Sequence, residues 1–313
     1  MHISAELYAA LRKRVAVFSH KSKRLYDGDV DALHGTRVAS RRLRELLPVL
    51  RLDAPTTRKL NRRLRKVTKR LGAVRDVDVL MCLIEELHRD RRYSRNALQT
   101  VQFAVEEERK TARERLDERL PPAKLQKVTR RLKRLTKQLQ ADDTSGREAG
   151  EPRVRKATLW ALEARATRRA TRVGEAIAAA GTVYVPAHLH HVRIALKKLR
   201  FALELKAEAS LQPATREIAA LKSAQDLLGR LHDRQVLIDR ARKIQASRLV
   251  LDPVARNDLG SLVRMLERDC RTLHARYVRA ASNLIAIAEH AGASKGRTAR
   301  AFGPAGRRER RPA

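Results

Sequence analysis

The twelve residues "LHGTRVASRRLR", Leu33–Arg44, carry one histidine and four arginines among regularly spaced apolar positions. An α-helix turns about 100° per residue, which puts Arg37, Arg41 and Arg44 within about 80° of His34. Ala39, Leu43, Leu46 and Leu50 gather on the other side, about 120° to 180° from that histidine. The stretch therefore predicts an amphipathic helix whose cationic stripe is held apart from a buried aliphatic one. A near copy, "LHHVRIALKKLR", Leu189–Arg200, sets His190, Arg193, Lys197 and Arg200 on the same stripe, with Ala195, Leu199 and Ala202 opposite. Arg42 and Lys198 lie about 80° round, at the edge of the stripe.

Each histidine falls in a first helical turn. Asp29 or Asp31 can cap the first helix, and Pro186 suits the start of the second. Free amides and the helix dipole favour an anion at such a position. Guanidinium forks grip phosphate oxygens in pairs, lysines add point charge, and an imidazole adds a donor. A solvated cationic face is the plain alternative for one such helix. Its repetition, histidine included, favours a ligand.

The repetition extends further. His34 to Arg44 matches His190 to Arg200 at a shift of 156, and "LGAVRDVDVL" (Leu71–Leu80) matches "LGRLHDRQVL" (Leu228–Leu237) at a shift of 157. Leu64-Arg65 pairs likewise with Leu221-Lys222. Two ordered matches, one residue out of step, indicate internal duplication.

Around these helices the chain shows helical periodicity almost throughout, as in Leu125, Val128, Leu132, Leu135 and Leu139. Helices are expected near 4–25, 31–51, 56–71, 74–90, 94–119 and 123–140, then near 153–180, 187–209, 214–228, 230–247 and 254–290. Gly72 and Gly229 are expected as helix C-caps. Asp76 and Asp233 would then stabilise the starts of the helices that follow, or alternatively orient an arginine through a salt bridge. No segment alternates like a strand. Residues 141–152, "ADDTSGREAGEP", form the expected linker between a first half (1–140) and a second (153–290). Residues 291–313 have the composition of a disordered basic tail.

Composition bounds the partner. Apolar residues make up 43% of the 313 residues but aromatics only 3%, so the core must be aliphatic. The net charge is +35, from 70 Lys and Arg against 35 Asp and Glu, which calls for a strongly acidic partner. Few aromatics argue against base stacking on single strands, but not against gripping a bare phosphate chain. Cys82 and Cys270 stand apart, which fits a reducing compartment and no disulfide or zinc framework. No window approaches the roughly 18 apolar residues of a spanning helix, and the N-terminus is amphipathic, so a cytoplasmic protein without membrane insertion is expected. Further cationic stripes (Arg62, Arg65 and Lys69; Lys124, Lys127, Arg131 and Arg134; Arg165, Arg168 and Arg172) read as surface faces. Only Arg65, with Lys222, has support from the repeat.

The two repeated motifs, His-x-x-Arg-x-x-x-(Arg/Lys)-(Arg/Lys)-x-Arg and Leu-Gly-x-x-x-Asp-x-x-Val-Leu, resemble those of the CHAD family, the histidine-containing α-helical domain. The resemblance runs through most of residues 5–290. It implies an all-α fold of two related four-helix-bundle halves, with pseudo-twofold symmetry around a basic central cavity. It also implies binding of inorganic polyphosphate without catalysis. By motif position the implied contacts are His34, Arg37, Arg41, Arg42, Arg44, Arg65 and Lys69, with His190, Arg193, Lys197, Lys198, Arg200 and Lys222. The second half departs in using lysines for arginines and in carrying His232 where asparagine is common. No strand-rich region is present to supply the triphosphate-tunnel domain fused to some members.

Two other functions compete. A nonspecific nucleic-acid binder fits the charge, but no helix-turn-helix, zinc-finger or RNA-recognition signature is visible; weak nucleic-acid binding is expected as a side effect. A metal-dependent phosphohydrolase would need His232-Asp233 as ligands, yet their repeat counterpart is Arg75-Asp76 and no carboxylate cluster lies nearby. No catalytic residue, metal or cofactor is therefore expected. Polyphosphate binding should be salt-sensitive and strengthen toward mildly acidic pH. The expected role is targeting or scaffolding at polyphosphate granules.

Overall fold

The computed structural model describes residues 4–27, 29–50, 52–144, 151–211, 214–247 and 253–293. Among them every regular element is helical. The first set is α1 (Ala5–Lys23), α2 (Val30–Leu46), α3 (Ala54–His88), α4 (Arg95–Arg119) and α5 (Pro122–Thr144). The second is α6 (Glu151–Ala180), α7 (Pro186–Ser210), α8 (Thr215–Gln245) and α9 (Pro253–Ala293).

Local sequence explains most boundaries. Asp29, rather than Asp31, caps α2, its Oδ1 accepting from the Ala32 amide at 2.9 Å. Asp53 and Ser94 cap α3 and α4 in the same way. Pro186 opens α7, where its missing N–H is no loss. Gly181, at φ +57°, terminates α6 with its amide on the Ile177 carbonyl. Pro48 opens a single 3-10 turn, Leu47–Val49, where one longer helix to residue 51 was expected.

The largest departure lies at the Leu-Gly pairs. The helices expected at 56–71 and 74–90 are one continuous α3, and those at 214–228 and 230–247 are one α8. Gly72 and Gly229 are therefore not C-caps, and Asp76 and Asp233 stand in mid-helix. An interior glycine costs a helix about 1 kcal/mol relative to alanine. At one repeat position in two long helices it leaves a low surface beneath an arginine of the neighbouring helix.

Of the expected linker, residues 141–144 and 151–152 are helical, closing α5 and opening α6; 145–150 lie outside the described residues. Of the expected tail, 291–293 belong to α9 and the rest lies outside them.

Packing follows the duplication. In the first set α2 packs on α1 and α3, α4 on α3, and α5 on α1. In the second, α7 packs on α6 and α8, and α9 runs along both α8 and α6. The single α9 thus fills the place that α4 and α5 share, divided at Leu120-Pro121. The aliphatic core forms three clusters. One lies mainly in the first set, around Leu43, Leu64 and Leu132, and takes in Leu162 of α6 and Leu205 and Ala209 of α7; another lies in the second, around Leu199, Leu228 and Tyr277. A third joins the C-terminal parts of α3 and α8 with α4 and α9. This joint cluster and the meeting of α2 with α7 bring the two repeated stripes together.

Candidate anion-binding site

Leu33, Ala39 and Leu43 of α2, with Leu189, Leu196 and Leu199 of α7, are buried and fix the rotation of both helices. The opposite faces then line one cleft of about 840 Å³ between α2, α3, α7 and α8. From the first set it receives Arg37, Arg41, Arg42 and Arg75, and from the second Arg193, Lys197, Arg200 and Arg230. Three carboxylates, Asp76, Asp226 and Asp233, stand against these eight cations, together with His34, His190 and His232.

Both glycines lie beneath an arginine of the neighbouring helix. A Cβ on Gly72 would lie 3.6 Å from Arg37 Nε, and one on Gly229 would lie 3.5 Å from Arg193 Nε. Each arginine lies across the neighbouring helix at the one position with no side chain. The guanidinium is thereby carried from α2 or α7 over α3 or α8. Arg37 Nη2 reaches Asp76 Oδ1 at 3.8 Å, so Asp76 orients the arginine rather than capping a helix. Among the described residues neither Arg37 Nε nor Arg193 Nε has a hydrogen-bond partner.

Crowding of like charge marks the whole cleft. Burial first, then Arg37, Arg193, Arg200 and Arg44, push the Arg41 guanidinium down to about 10. Burial and nearby arginines also lower Arg37, against the pull of Asp76. The imidazoles respond alike. His34 is lowered by burial, Arg75, Arg37 and Arg41. Burial, Arg193 and His191 lower His190. His232, with its ring centroid 4.5 Å from that of His190, is pushed down to about 4 by burial, His190 and Arg193. Asp233 moves up, because its burial and Asp76 outweigh Arg193 and the other cations around it. The shifts of the arginines and imidazoles disfavour further positive charge in the cleft, whereas that of Asp233 disfavours its carboxylate, and a bound anion opposes the cationic shifts together.

Eight of the thirteen residues singled out in the sequence thus meet: His34, Arg37, Arg41, Arg42, His190, Arg193, Lys197 and Arg200. Arg42 and Arg200 share Glu204, at 3.5 Å each, which neutralises one end of the cleft. The other five do not line it. Arg44 faces Glu45 and Arg65 on the outer side. Lys69 lines a separate basin between α3, α4 and α8. Lys198 faces Arg169 and Arg172 of α6, and Lys222 is exposed on α8. Conversely, Arg75, Arg230, Gln225, Asp226 and the Asp76, His232 and Asp233 side chains belong to the wall. A helical wheel continued through Gly72 and Gly229 would have found them.

Among the described residues no group of three His, Cys, Asp or Glu side chains is placed to hold a metal ion. None of the helices is long and apolar enough to cross a membrane.

Fold and cleft together define an all-helical protein made of two similar helix sets with a basic cleft between them. The family model described as the CHAD domain matches residues 9–242, and the chain belongs to that family. Two solved structures share the fold. PptA from Streptomyces chartreusis is similar at a TM-score of 0.62 and 18% identity, over 88% of this chain and 97% of that one. The CHAD domain from the plant Ricinus communis is similar at 0.61 and 22%, over 89% and 91%. No curated protein matches the sequence.

Proposed function

We propose that the protein binds inorganic polyphosphate in the cleft between α2 and α7, without catalysis, and serves as a targeting or scaffolding element at polyphosphate granules. One observation carries the reading: four arginine or lysine side chains from each helix set converge on one cleft, against three carboxylates in its wall and Glu204 at one end. The charge left over suits a ligand with a negative charge on every unit and no base to recognise. Family membership supports the same ligand class. Its contacts are proposed as His34, Arg37, Arg41, Arg42, Arg75, His190, Arg193, Lys197, Arg200 and Arg230. Arg44, Arg65, Lys69, Lys198 and Lys222 would act at longer range. Phe201, the aromatic side chain of Phe, Tyr or Trp type in the wall, is buried beneath Arg41 and Arg200 at 5.8 and 5.2 Å and offers no ring to a nucleic-acid base.

The test is competition between polyphosphate and duplex DNA for the purified protein at matched salt, with phosphate release followed in the same samples. Polyphosphate should win, and log affinity should fall against log salt with a slope of about −4 to −6, taking about 0.7 per neutralised phosphate on a single strand. Changing Arg37 and Arg193 together to alanine should lower affinity by roughly a hundredfold or more, since each charge-assisted hydrogen bond contributes about 1.5–3 kcal/mol. Equal affinity for DNA overturns the specificity, and phosphate release with magnesium or manganese overturns the absence of catalysis.

A further inference from the structure

At the 157-residue shift, Ala73 and Val77 of α3 correspond to Arg230 and Arg234 of α8. The exchange shapes two hollows differently. Beside α9, Arg234 is buried and donates from Nε to Asp269 Oδ2 at 3.1 Å, with Glu86 at 3.7 Å. The Tyr93 hydroxyl donates to the same Asp269 oxygen at 2.6 Å. This network closes the site to about 390 Å³. Beside α4, the small apolar Ala73 and Val77 leave a basin of about 1080 Å³ between α3, α4 and α8, floored further by Leu116.

The rim of that basin is mainly cationic, with Glu107 and Glu108 as its acidic members. Lys66, Lys69 and Arg70 come from α3, Arg115 and Arg119 from α4, and Lys243 from α8. Among the described residues none of these six side chains has an ion-pair partner, whereas the neighbouring Arg240 is tied to Glu108 at 2.8 Å. The basin is a separate hollow that follows the cleft along α8. On α8, Asp233 and Val236 line the cleft, and Arg240 and Lys243 follow on the same helix face four and seven residues beyond Val236. On α3, Asp76 of the cleft adjoins Val77 of the basin. About one helical turn separates the two walls.

We propose that the basin is a second polyanion site, taking the part of a long phosphate chain that overhangs the cleft; this rests on the polyphosphate reading of the cleft. The cations are spread along three helices instead of converging on one point, which suits an extended chain better than a compact phosphate ester. Among the described residues no aromatic side chain lines the basin to hold a nucleotide base. A rim of separate lysines and arginines without ion-pair partners attracts charge diffusely and tolerates a mobile ligand. The duplicated halves are therefore functionally unequal: one flank of the cleft is sealed by Arg234, and the other extends the grip.

The test compares wild type with an Arg115→Ala/Arg119→Ala/Lys243→Ala variant, titrated with inorganic triphosphate and with long-chain polyphosphate at the same salt. Circular dichroism checks that both proteins are folded. Triphosphate affinity should stay within about twofold, while long-chain affinity falls about tenfold, as expected for three exposed ionic contacts. The long-chain salt slope should become shallower by about 2. Equal losses for both anions, or an unchanged long-chain slope, overturn the second site. An unchanged long-chain affinity with lost adenosine triphosphate binding assigns the basin to a phosphate ester and overturns it too. A wild-type protein that binds neither phosphate chain overturns the reading of the cleft itself.

Discussion

Replacing Gly72 and Gly229 separates what the helix prefers from what the cleft requires. Both glycines are helical and buried, and at ordinary helical φ an alanine there is unstrained. Its Cβ would meet the arginine Nε at 3.6 Å for residue 72 and 3.5 Å for residue 229, which is ordinary van der Waals contact. Alanine should therefore recover most of the helix propensity, about 0.5–1 kcal/mol at each site. In a chain of this size that raises Tm by about 2 °C per substitution. Polyphosphate affinity should hardly change, because the guanidinium keeps its place. Leucine gives the opposite result. Its branched carbons must enter the space that Arg37 or Arg193 occupies, so the arginine is displaced and its contacts with the ligand are lost. Affinity should then fall by about tenfold or more per site, the equivalent of about 1.5 kcal/mol. Scanning calorimetry and isothermal titration of the four single variants read both quantities. A lower Tm for Gly72→Ala would show that the arginine packs too closely on the helix to admit a Cβ, and an unchanged affinity for Gly72→Leu would refute the idea that a larger side chain there displaces Arg37 from the cleft.

Two further outcomes follow from the same geometry. His34 and His190 lie below the ordinary histidine value of 6.5 and His232 lies at about 4, so all three are neutral in the free cleft at pH 7. The unfolded chain takes up these protons first as pH falls, so the free protein should lose stability from about pH 6.5 down toward 4. A bound phosphate chain favours the imidazolium, so affinity should be flat between pH 8 and 7 and rise below 6.5. Thermal melts with and without polyphosphate check both signs, and a parallel decline of the two removes the histidines from the contact. Separately, Leu211 closes α7 in the left-handed region at φ 57° while 73% exposed, so its side chain gives up little burial. Leu211→Gly should stabilise the protein by about 0.5–1 kcal/mol in urea titration, and a destabilisation would show that the leucine has a packing role.

The helices were legible because an aliphatic core leaves its period in the sequence, and the cationic stripes because duplication repeats them. The glycines misled for a physical reason. Local propensity makes Leu-Gly a helix end, but the buried turns on both sides hold the helix continuous. Stopping the helix there also cut the stripe short, which hid Arg75 and Arg230.

A second limit is sharper, because repeat-equivalent residues diverge. Arg42 and Lys198 occupy one position, about 80° from their histidines. Yet Arg42 reaches across to Glu204 of α7, whereas Lys198 turns to Arg169 and Arg172 of α6. Arg44 and Arg200 part in the same way. Arg200 lies over Phe201 in the cleft, and Arg44 sits beside Glu45, which Arg165 and Arg169 of α6 also hold. A helical wheel gives an angle about a helix's own axis, and what stands at that angle depends on the neighbour. Glu204 pulls two cations to one end of the cleft, and Glu45 draws others to the outside. Two acidic residues outside the repeated motifs thus decide which members of a symmetric pattern face the ligand. Charge reversal at Glu204 should therefore alter the cleft more than the loss of Lys198.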